Sequence, residues 1–218
     1  MSSSPLQNPT PLAPNERVRP YADAPRIPEG EVIDPRELVG AKLAPVELEI
    51  GPGRGGFVFE RLAAEPKLFF LGLEIRRKWA TIVDRRLAAS EHAGRGRVFA
   101  EDARSVLPRF VAGSIARAFV HFPDPWWKKR HHKRMVIGAP LLDELVRVLA
   151  PGGELFIQTD VEERAASYEA LCNACSGLMP APGGPRIAEN PFGARSPREK
   201  RAQADGLPIY RLLYRREA

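Results

Sequence analysis

The sequence predicts an α/β fold with a mainly parallel sheet and helices on both faces. Three observations lead to this prediction: short apolar runs alternate with helical runs along most of the 218 residues, a glycine-rich loop joins the first strand to the first helix, and the composition is ordinary for a globular protein, with 44% hydrophobic and 28% charged residues. Alternation of strands and helices is typical of parallel sheets. We therefore expect a ligand at the carboxyl edge of the sheet.

Residues 1–45 are expected to form a flexible, Pro-rich leader. Nine of the 22 prolines lie there, and proline disfavours both helix and sheet. Residues 46–218 would then form a single domain. The first residues lack the basic and apolar regions of a signal peptide, and no apolar run approaches the roughly 18 residues of a membrane span. These features predict a cytoplasmic protein with no membrane partner.

The first strand and the loop after it predict a nucleotide-like cofactor. Strand 46–50 leads directly into Gly51-Pro52-Gly53-Arg54-Gly55-Gly56 and a helix over 57–64. Glycines permit a tight turn and a close ligand approach, and the helix N-terminus offers unpaired N–H groups. The spacing Gly51-x-Gly53-x-x-Gly56 matches the dinucleotide fingerprint. The same loop also reads Glu49-x-Gly51-x-Gly53-x-Gly55, which resembles the first motif of S-adenosylmethionine-dependent methyltransferases, so the loop alone leaves both cofactors open.

Two further strands are predicted to end in acids. Strand 68–73 ends at Glu74, where a carboxylate can accept hydrogen bonds from ribose hydroxyls, and it is followed by a helix over 76–90. Glu74 lies 23 residues beyond Gly51, which suits either cofactor. Strand 98–100 is followed by Asp102, which either caps the next helix or resembles the Asp that reads the adenine amino group in S-adenosylmethionine-dependent methyltransferases.

The fourth strand, 117–121, carries the most distinctive motif of the chain at its end. Asp124 follows it within His121-Phe122-Pro123-Asp124-Pro125-Trp126-Trp127, and a basic run comes next that contains Lys128, Lys129, Arg130, Lys133 and Arg134. The net charge of +6 and the pI near 9.6 are consistent with a polyanionic partner.

The rest of the chain continues the alternation and then changes character. A helix over 139–150, a strand over 154–159 ending at Asp160, and a helix over 161–175 are predicted. Cys172 and Cys175 on that helix are expected to be small buried residues, because no second pair completes a zinc site and no metal is expected. Residues 176–208 are predicted to be a long substrate-side loop, and 209–215 a closing strand.

Together these motifs resemble the bacterial tRNA (guanine-N7-)-methyltransferases, the TrmB family. The resemblance lies in the Pro-Asp-Pro-Trp element with its basic tail, the glycine motif, Leu71-Gly72-Leu73-Glu74, Asp102-Ala103 and Thr159-Asp160. It implies a Rossmann-like class I methyltransferase fold with a mostly parallel seven-stranded sheet. It also implies methyl transfer from S-adenosyl-L-methionine, with S-adenosyl-L-homocysteine as product, to N7 of a variable-loop guanine in tRNA, usually position 46.

The resemblance also assigns roles to residues. It implies that Asp124 is catalytic and contacts the cofactor. It implies further cofactor contacts from Glu49, Gly51, Gly53, Gly55, Glu74 and Asp102. It implies substrate contacts from Lys128, Arg130, Lys133, Arg134, Asp160, Ser196 and Glu199. The family pattern Thr-x-Phe-Glu is replaced by Ser196-Pro197-Arg198-Glu199 in this chain.

Two other functions remain open from the residues alone. A nicotinamide-dependent oxidoreductase would use the same glycine loop, and a non-catalytic RNA-binding protein would use the same basic run. We expect tRNA as the partner and a monomer or homodimer as the assembly.

Overall fold

The computed structural model describes residues 20–30, 32–42, 44–123 and 136–217, and its centre is one seven-stranded sheet. The strand order is β3-β2-β1-β4-β5-β7-β6. The strands are β1 Val46–Ile50, β2 Phe69–Leu73, β3 Gly96–Phe99, β4 Ile115–His121, β5 Leu149–Thr159, β6 Leu178–Pro180 and β7 Tyr210–Arg216. Strands β1 to β5 pair in parallel, and β7 runs antiparallel to both β5 and β6. The predicted fold class is confirmed.

Helices cover both faces of this sheet. They are α1 Pro35–Leu38, α2 Gly56–Ala64, α3 Arg77–Ala88, α4 Ala103–Val106, α5 Ala139–Val148, α6 Glu162–Ala174 and α7 Pro197–Ala204. Successive residues of β4 point to opposite faces, so Phe119 joins the core under α2 and α3, whereas Ala118 and Val120 join the core under α4, α5 and α6. None of these helices is long and apolar enough to cross a membrane.

The described part of the leader packs against the domain. Ala24, Ile27 and Val39 are buried, and Ile33 forms a bridge with Phe110. Apolar side chains in a proline-rich segment can thus join a core that later strands build. Residues 1–19 lie outside the described part of the chain, and the domain boundary at residue 46 stays a prediction.

The segment 176–208 contains two regular elements, β6 and α7, where a loop was expected. Helix α7 begins because the Ser196 hydroxyl accepts a hydrogen bond from the Glu199 backbone N–H, at 3.1 Å, and because Pro197 occupies its first turn. The Ser-x-x-Glu spacing is itself a signal for a helix start. The sequence therefore carried the signal for α7, although its low apolar content hid the helix.

Candidate active site

A divided cleft opens at the carboxyl ends of β1 and β4. These strands are adjacent, and the chain leaves them towards opposite faces of the sheet, which is where ligands bind in such folds. The cleft has a large hollow of about 590 Å³ and a small hollow of about 370 Å³. The two hollows share part of one wall, which consists of Gly51, Arg76, His121, Phe122, Pro123 and Arg164.

The glycine loop has the backbone conformation that its sequence predicts. Gly51, Gly53 and Gly55 have φ angles of 77°, 56° and 79°, in the left-handed region that favours glycine. A methyl group on Gly55 would lie 2.6 Å from a side-chain carbon of Val83, so this loop also needs glycine to approach α3. By contrast, Gly51 faces open space at the wall shared by the hollows.

Glu74 anchors this loop at the rim of the large hollow. Its carboxylate is buried and accepts hydrogen bonds from the backbone N–H of Gly53, at 2.9 Å, and from that of Arg76, at 2.9 Å. The Arg76 side chain also contacts it, with Nε 3.0 Å from Oε1. The acid predicted at the end of the second strand is therefore joined directly to the glycine loop.

Asp102 lies at the end of β3 and lines the same hollow. It caps α4 by accepting a hydrogen bond from the backbone N–H of Arg104, and the Arg104 side chain pairs with it at 2.6 Å. The Arg104 side chain holds the pKa of Asp102 below its usual value. Asp102 thus has the capping role that was one of the two interpretations of its position, and its carboxylate is also at the ligand-facing edge.

Beneath the shared wall, the side chains of Glu49, His121 and Gln158 form a buried polar cluster, and the sequence did not predict that they come together. Glu49 Oε1 is 2.7 Å from His121 Nδ1, and His121 is the register neighbour of Gln158 on β5. Within the described part of the chain, Glu49 Oε2, His121 Nε2 and both amide atoms of Gln158 are buried without a hydrogen-bond partner. Unpaired buried polar atoms are uncommon, and at a cleft they are candidate ligand contacts.

Aromatic rings hold His121 in place. Phe57 lies 4.2 Å from the His121 ring between centroids, Phe119 lies 5.7 Å away, and Phe156 lies 5.9 Å away. The next residue, Phe122, has a φ of 44°, which is rare for a residue other than glycine. This strained turn sets the direction in which the chain leaves β4 at the cleft.

The small hollow receives Asp160 from the end of β5. Its carboxylate pairs with Arg198 of α7, whose Nε atom lies 3.0 Å from Oδ2. Ser196, Pro197 and Arg198 line the same hollow. The predicted substrate residues Asp160 and Ser196 are therefore brought together there, although the Ser196 hydroxyl is engaged in capping α7.

Glu199 lies apart from both hollows. It is completely buried, with its Oε1 atom 2.9 Å from the Arg211 guanidinium and its Oε2 atom accepting a hydrogen bond from the Asn190 side chain at 2.9 Å. The Arg211 side chain is only 8% exposed. This carboxylate therefore joins α7 to β7 and to the preceding loop.

The predicted catalytic residue and the predicted phosphate-binding residues lie outside the part of the chain that the structure describes. They are Asp124, Lys128, Arg130, Lys133 and Arg134. Pro123 and Val136, which flank this stretch, both line the large hollow. Sequence reasoning missed Arg76, Arg164 and Tyr168, which also line it. Burial raises the pKa of Tyr168, so this side chain stays neutral at physiological pH.

The order of the strands in the sheet, the glycine loop and the acidic residues at the ends of the strands together define an α/β methyltransferase. A family model described as a putative methyltransferase matches residues 43–212. The tRNA (guanine-N(7)-)-methyltransferase of Myxococcus xanthus is 38% identical over 170 residues, which are 77% of this chain and 81% of that protein. The enzyme of the same name from Anaeromyxobacter dehalogenans is 40% identical over 173 residues, which are 77% of this chain and 83% of that protein. The chain belongs to the tRNA (guanine-N7)-methyltransferase family.

Solved structures support the fold. The 16S rRNA methyltransferase KamB superposes with a TM-score of 0.61 at 16% identity, covering 87% of this chain and 96% of that chain. A variant of the 16S rRNA (adenine(1408)-N(1))-methyltransferase from Catenulisporales acidiphilia superposes with a TM-score of 0.56, also at 16% identity, covering 85% of this chain and 92% of that one. At this identity the likeness concerns the fold alone.

Proposed function

We propose that this protein transfers a methyl group from S-adenosyl-L-methionine to N7 of a variable-loop guanine in tRNA, usually position 46. The observation that carries the proposal is the divided cleft, which has two ligand-sized hollows meeting at Gly51 and at the end of β4. The large hollow carries acids suited to a nucleoside, and the small hollow carries Asp160. The names of the relatives supply the substrate, and a tRNA substrate implies a cytoplasmic protein.

The residues at the large hollow and around the glycine loop fit the cofactor. Glu74 would accept hydrogen bonds from ribose hydroxyls and Asp102 from the adenine amino group. Gly51, Gly53 and Gly55 allow the backbone to approach the ligand closely. Glu49 lines the small hollow, and its Oε2 atom, which has no hydrogen-bond partner among the described residues, suits the ammonium group of the cofactor's amino-acid end.

Alignment is the main catalytic task that the protein must perform. Guanine N7 has a free lone pair and no proton to lose, so the reaction requires no general base. When bound, the cofactor supplies an electrophilic methyl group on a sulfonium; the new N–C bond forms as the C–S bond breaks, which leaves a neutral thioether and a cationic guanine ring. The wall shared by the hollows would hold the two ligands in line, which contributes the entropic part of catalysis.

Carboxylates would orient the guanine and stabilise its new charge. We assign Asp124 to the reacting centre and Asp160 to the N1–H and N2 amino donors of the base, because Asp160 lines the small hollow. A carboxylate near the ring stabilises the cationic product more than the neutral substrate. The phosphates of the RNA would be bound by Lys128, Arg130, Lys133 and Arg134. Ser196 would begin helix α7, which borders the base, and Glu199 would support that helix from beneath.

Methyl incorporation into unmodified tRNA tests the proposal. The protein is incubated with labelled S-adenosyl-L-methionine and unmodified tRNA, and the RNA is then examined for chemical strand cleavage at N7-methylguanosine. We expect cleavage at one variable-loop guanine, and a strongly reduced rate for Asp124→Asn. The matched control is Asp143→Asn, which removes an exposed carboxylate from α5.

The rival functions give other results. Binding of tRNA without methyl incorporation would indicate a non-catalytic RNA-binding protein. Thermal protection by NAD, with none from S-adenosyl-L-homocysteine, would indicate an oxidoreductase. Full activity of Asp124→Asn would contradict the role assigned to its charge.

A further inference from the structure

Three cationic side chains form a surface beside the small hollow. This surface, termed the α3 cationic surface, consists of Arg54 from the glycine loop and Lys78 and Arg86 from α3, and all three are exposed. It lies apart in sequence from the basic run that contains Lys128 and Arg130.

Aromatic rings hold these three cations close together. The Arg54 guanidinium lies 4.8 Å from the Trp79 ring centroid, and Lys78 Nζ lies 5.3 Å from the same centroid. Arg86 lies over Phe59 at 4.6 Å and donates a hydrogen bond to the Arg54 backbone oxygen at 3.4 Å. Both rings are half-buried. Trp79 serves as a platform beneath two cations.

No carboxylate among the described residues forms an ion pair with any cation of this surface. Nearby arginines differ: Arg85 of the same helix pairs with Asp23, and Arg97 of β3 pairs with Asp84. Neighbouring like charges repel, and cations in the first turn of a helix oppose its dipole. Contacts with aromatic faces offset only part of that cost, about 0.5–1 kcal/mol each at exposed sites. The grouping therefore does not serve the stability of α3.

The position of the surface indicates its ligand. Arg54 lines the small hollow together with Asp160 and Arg198, so the surface begins where a base would enter. An RNA whose base occupies that hollow must carry its phosphates past this rim. Arginine binds phosphate through paired N–H donors, and lysine binds it as a point charge.

We propose that the α3 cationic surface binds the tRNA backbone next to the target guanine. This inference rests on the proposed function. Each phosphate contact releases counterions, so the contribution of the surface depends on salt concentration.

The test compares two variants of equal charge. Lys78→Gln/Arg86→Gln removes two cations of the surface and leaves Arg54 at the hollow unchanged. Lys42→Gln/Lys67→Gln is the control. Both lysines are exposed and precede the N-terminal ends of β1 and β2, whereas the cleft lies at the carboxyl ends of the strands. The affinity for unmodified tRNA is measured over a range of salt concentrations, and the affinity for S-adenosyl-L-homocysteine is measured by calorimetry.

For the surface variant we expect tRNA affinity to fall about tenfold and the slope of log affinity against log salt to decrease by about 1 to 2. Cofactor affinity stays at the wild-type value. Wild-type tRNA affinity in the surface variant, or an equal loss in the control, would overturn the inference and leave the proposed function intact. Failure of the wild-type protein to bind tRNA would overturn both, and is a distinct result.

Discussion

The Nδ1 atom of His121 lies 2.7 Å from Oε1 of Glu49, and both side chains are nearly inaccessible to water, with exposures of 3% and 2%. A buried carboxylate is stable only where hydrogen bonds or an opposite charge replace water. Since the other oxygen of Glu49 has no partner in the described ranges, the contact with His121 is the one that holds the side chain beneath the cleft there.

Replacing His121 by phenylalanine is therefore expected to destabilise the protein. The new ring suits the surrounding aromatic residues, but it leaves the Glu49 carboxylate without a partner, which costs about 3–5 kcal/mol. The free energy of unfolding in urea measures the loss. In a Glu49→Gln background the same substitution is expected to cost at least about 1 kcal/mol less, because no buried charge is left unpaired. Equal costs in both backgrounds would show that the two residues act independently.

Glu199→Gln is expected to lower stability first and tRNA affinity only as a consequence. The substitution leaves the Arg211 guanidinium buried without a charged partner, with an expected cost of about 3 kcal/mol. Urea unfolding is compared with that of Glu163→Gln, an exposed position on α6 that we expect to change stability by less than about 0.5 kcal/mol. A raised KM for tRNA at unchanged stability would instead make Glu199 a direct substrate contact.

Substitutions of Asp160 and Arg198 are expected to have different effects, although the two side chains form an ion pair. Arg198 is 49% exposed and Asp160 17%, so their pair contributes at most about 1 kcal/mol and can open at little cost. Asp160→Asn is expected to raise the KM for tRNA about tenfold, because the base loses a charged acceptor. The free energy of unfolding of Arg198→Ala is expected to lie within about 1 kcal/mol of the wild-type value. The Asp160 carboxylate stays available to the base in this variant. Steady-state kinetics with both variants measure the difference, and an Asp160→Asn enzyme with an unchanged KM would remove Asp160 from the base site.

The two cysteines are expected to be unreactive at pH 8. Burial raises the pKa of Cys172 to about 12, and burial together with the nearby Asp143 raises the pKa of Cys175. The thiolate is the reactive form, so little of either side chain can be alkylated at this pH. Mass spectrometry measures the rate of alkylation by iodoacetamide, and the urea-unfolded protein, in which both thiols are accessible, gives the reference rate. Cys172→Ala/Cys175→Ala should keep most of the methyltransferase activity, and abolished activity would contradict a purely packing role.

The fold could be predicted because apolar runs, glycines and strand-end acids are local signals. Strands β1 to β5, the glycine loop and the positions of Glu74 and Asp102 all follow from residues close in sequence. Helix α7 was missed because half of its residues are charged and its signals, the capping pattern at Ser196 and Pro197 in the first turn, mark only its start. Short β6 has no periodicity of its own.

The partners within the site could not be predicted in the same way. The pairing of Glu49 with His121 depends on the register of β1 against β4, which the sequence does not state. Likewise, the burial of Glu199 depends on Arg211, which is on the next strand, and on Asn190. A motif therefore identified these residues as important without distinguishing those that face a ligand from those that support the helix behind it.

The small hollow takes more of its lining from the later half of the chain than the large hollow does. Beyond the wall that the two hollows share, most residues at the large hollow come from 50–104, whereas the small hollow combines Glu49 and the glycine loop with Asp160 and residues 196–198 from the later half. Substitutions that alter the accepted base can therefore accumulate around α7 while the cofactor contacts stay unchanged. The architecture allows a change of RNA target without a change of methyl donor.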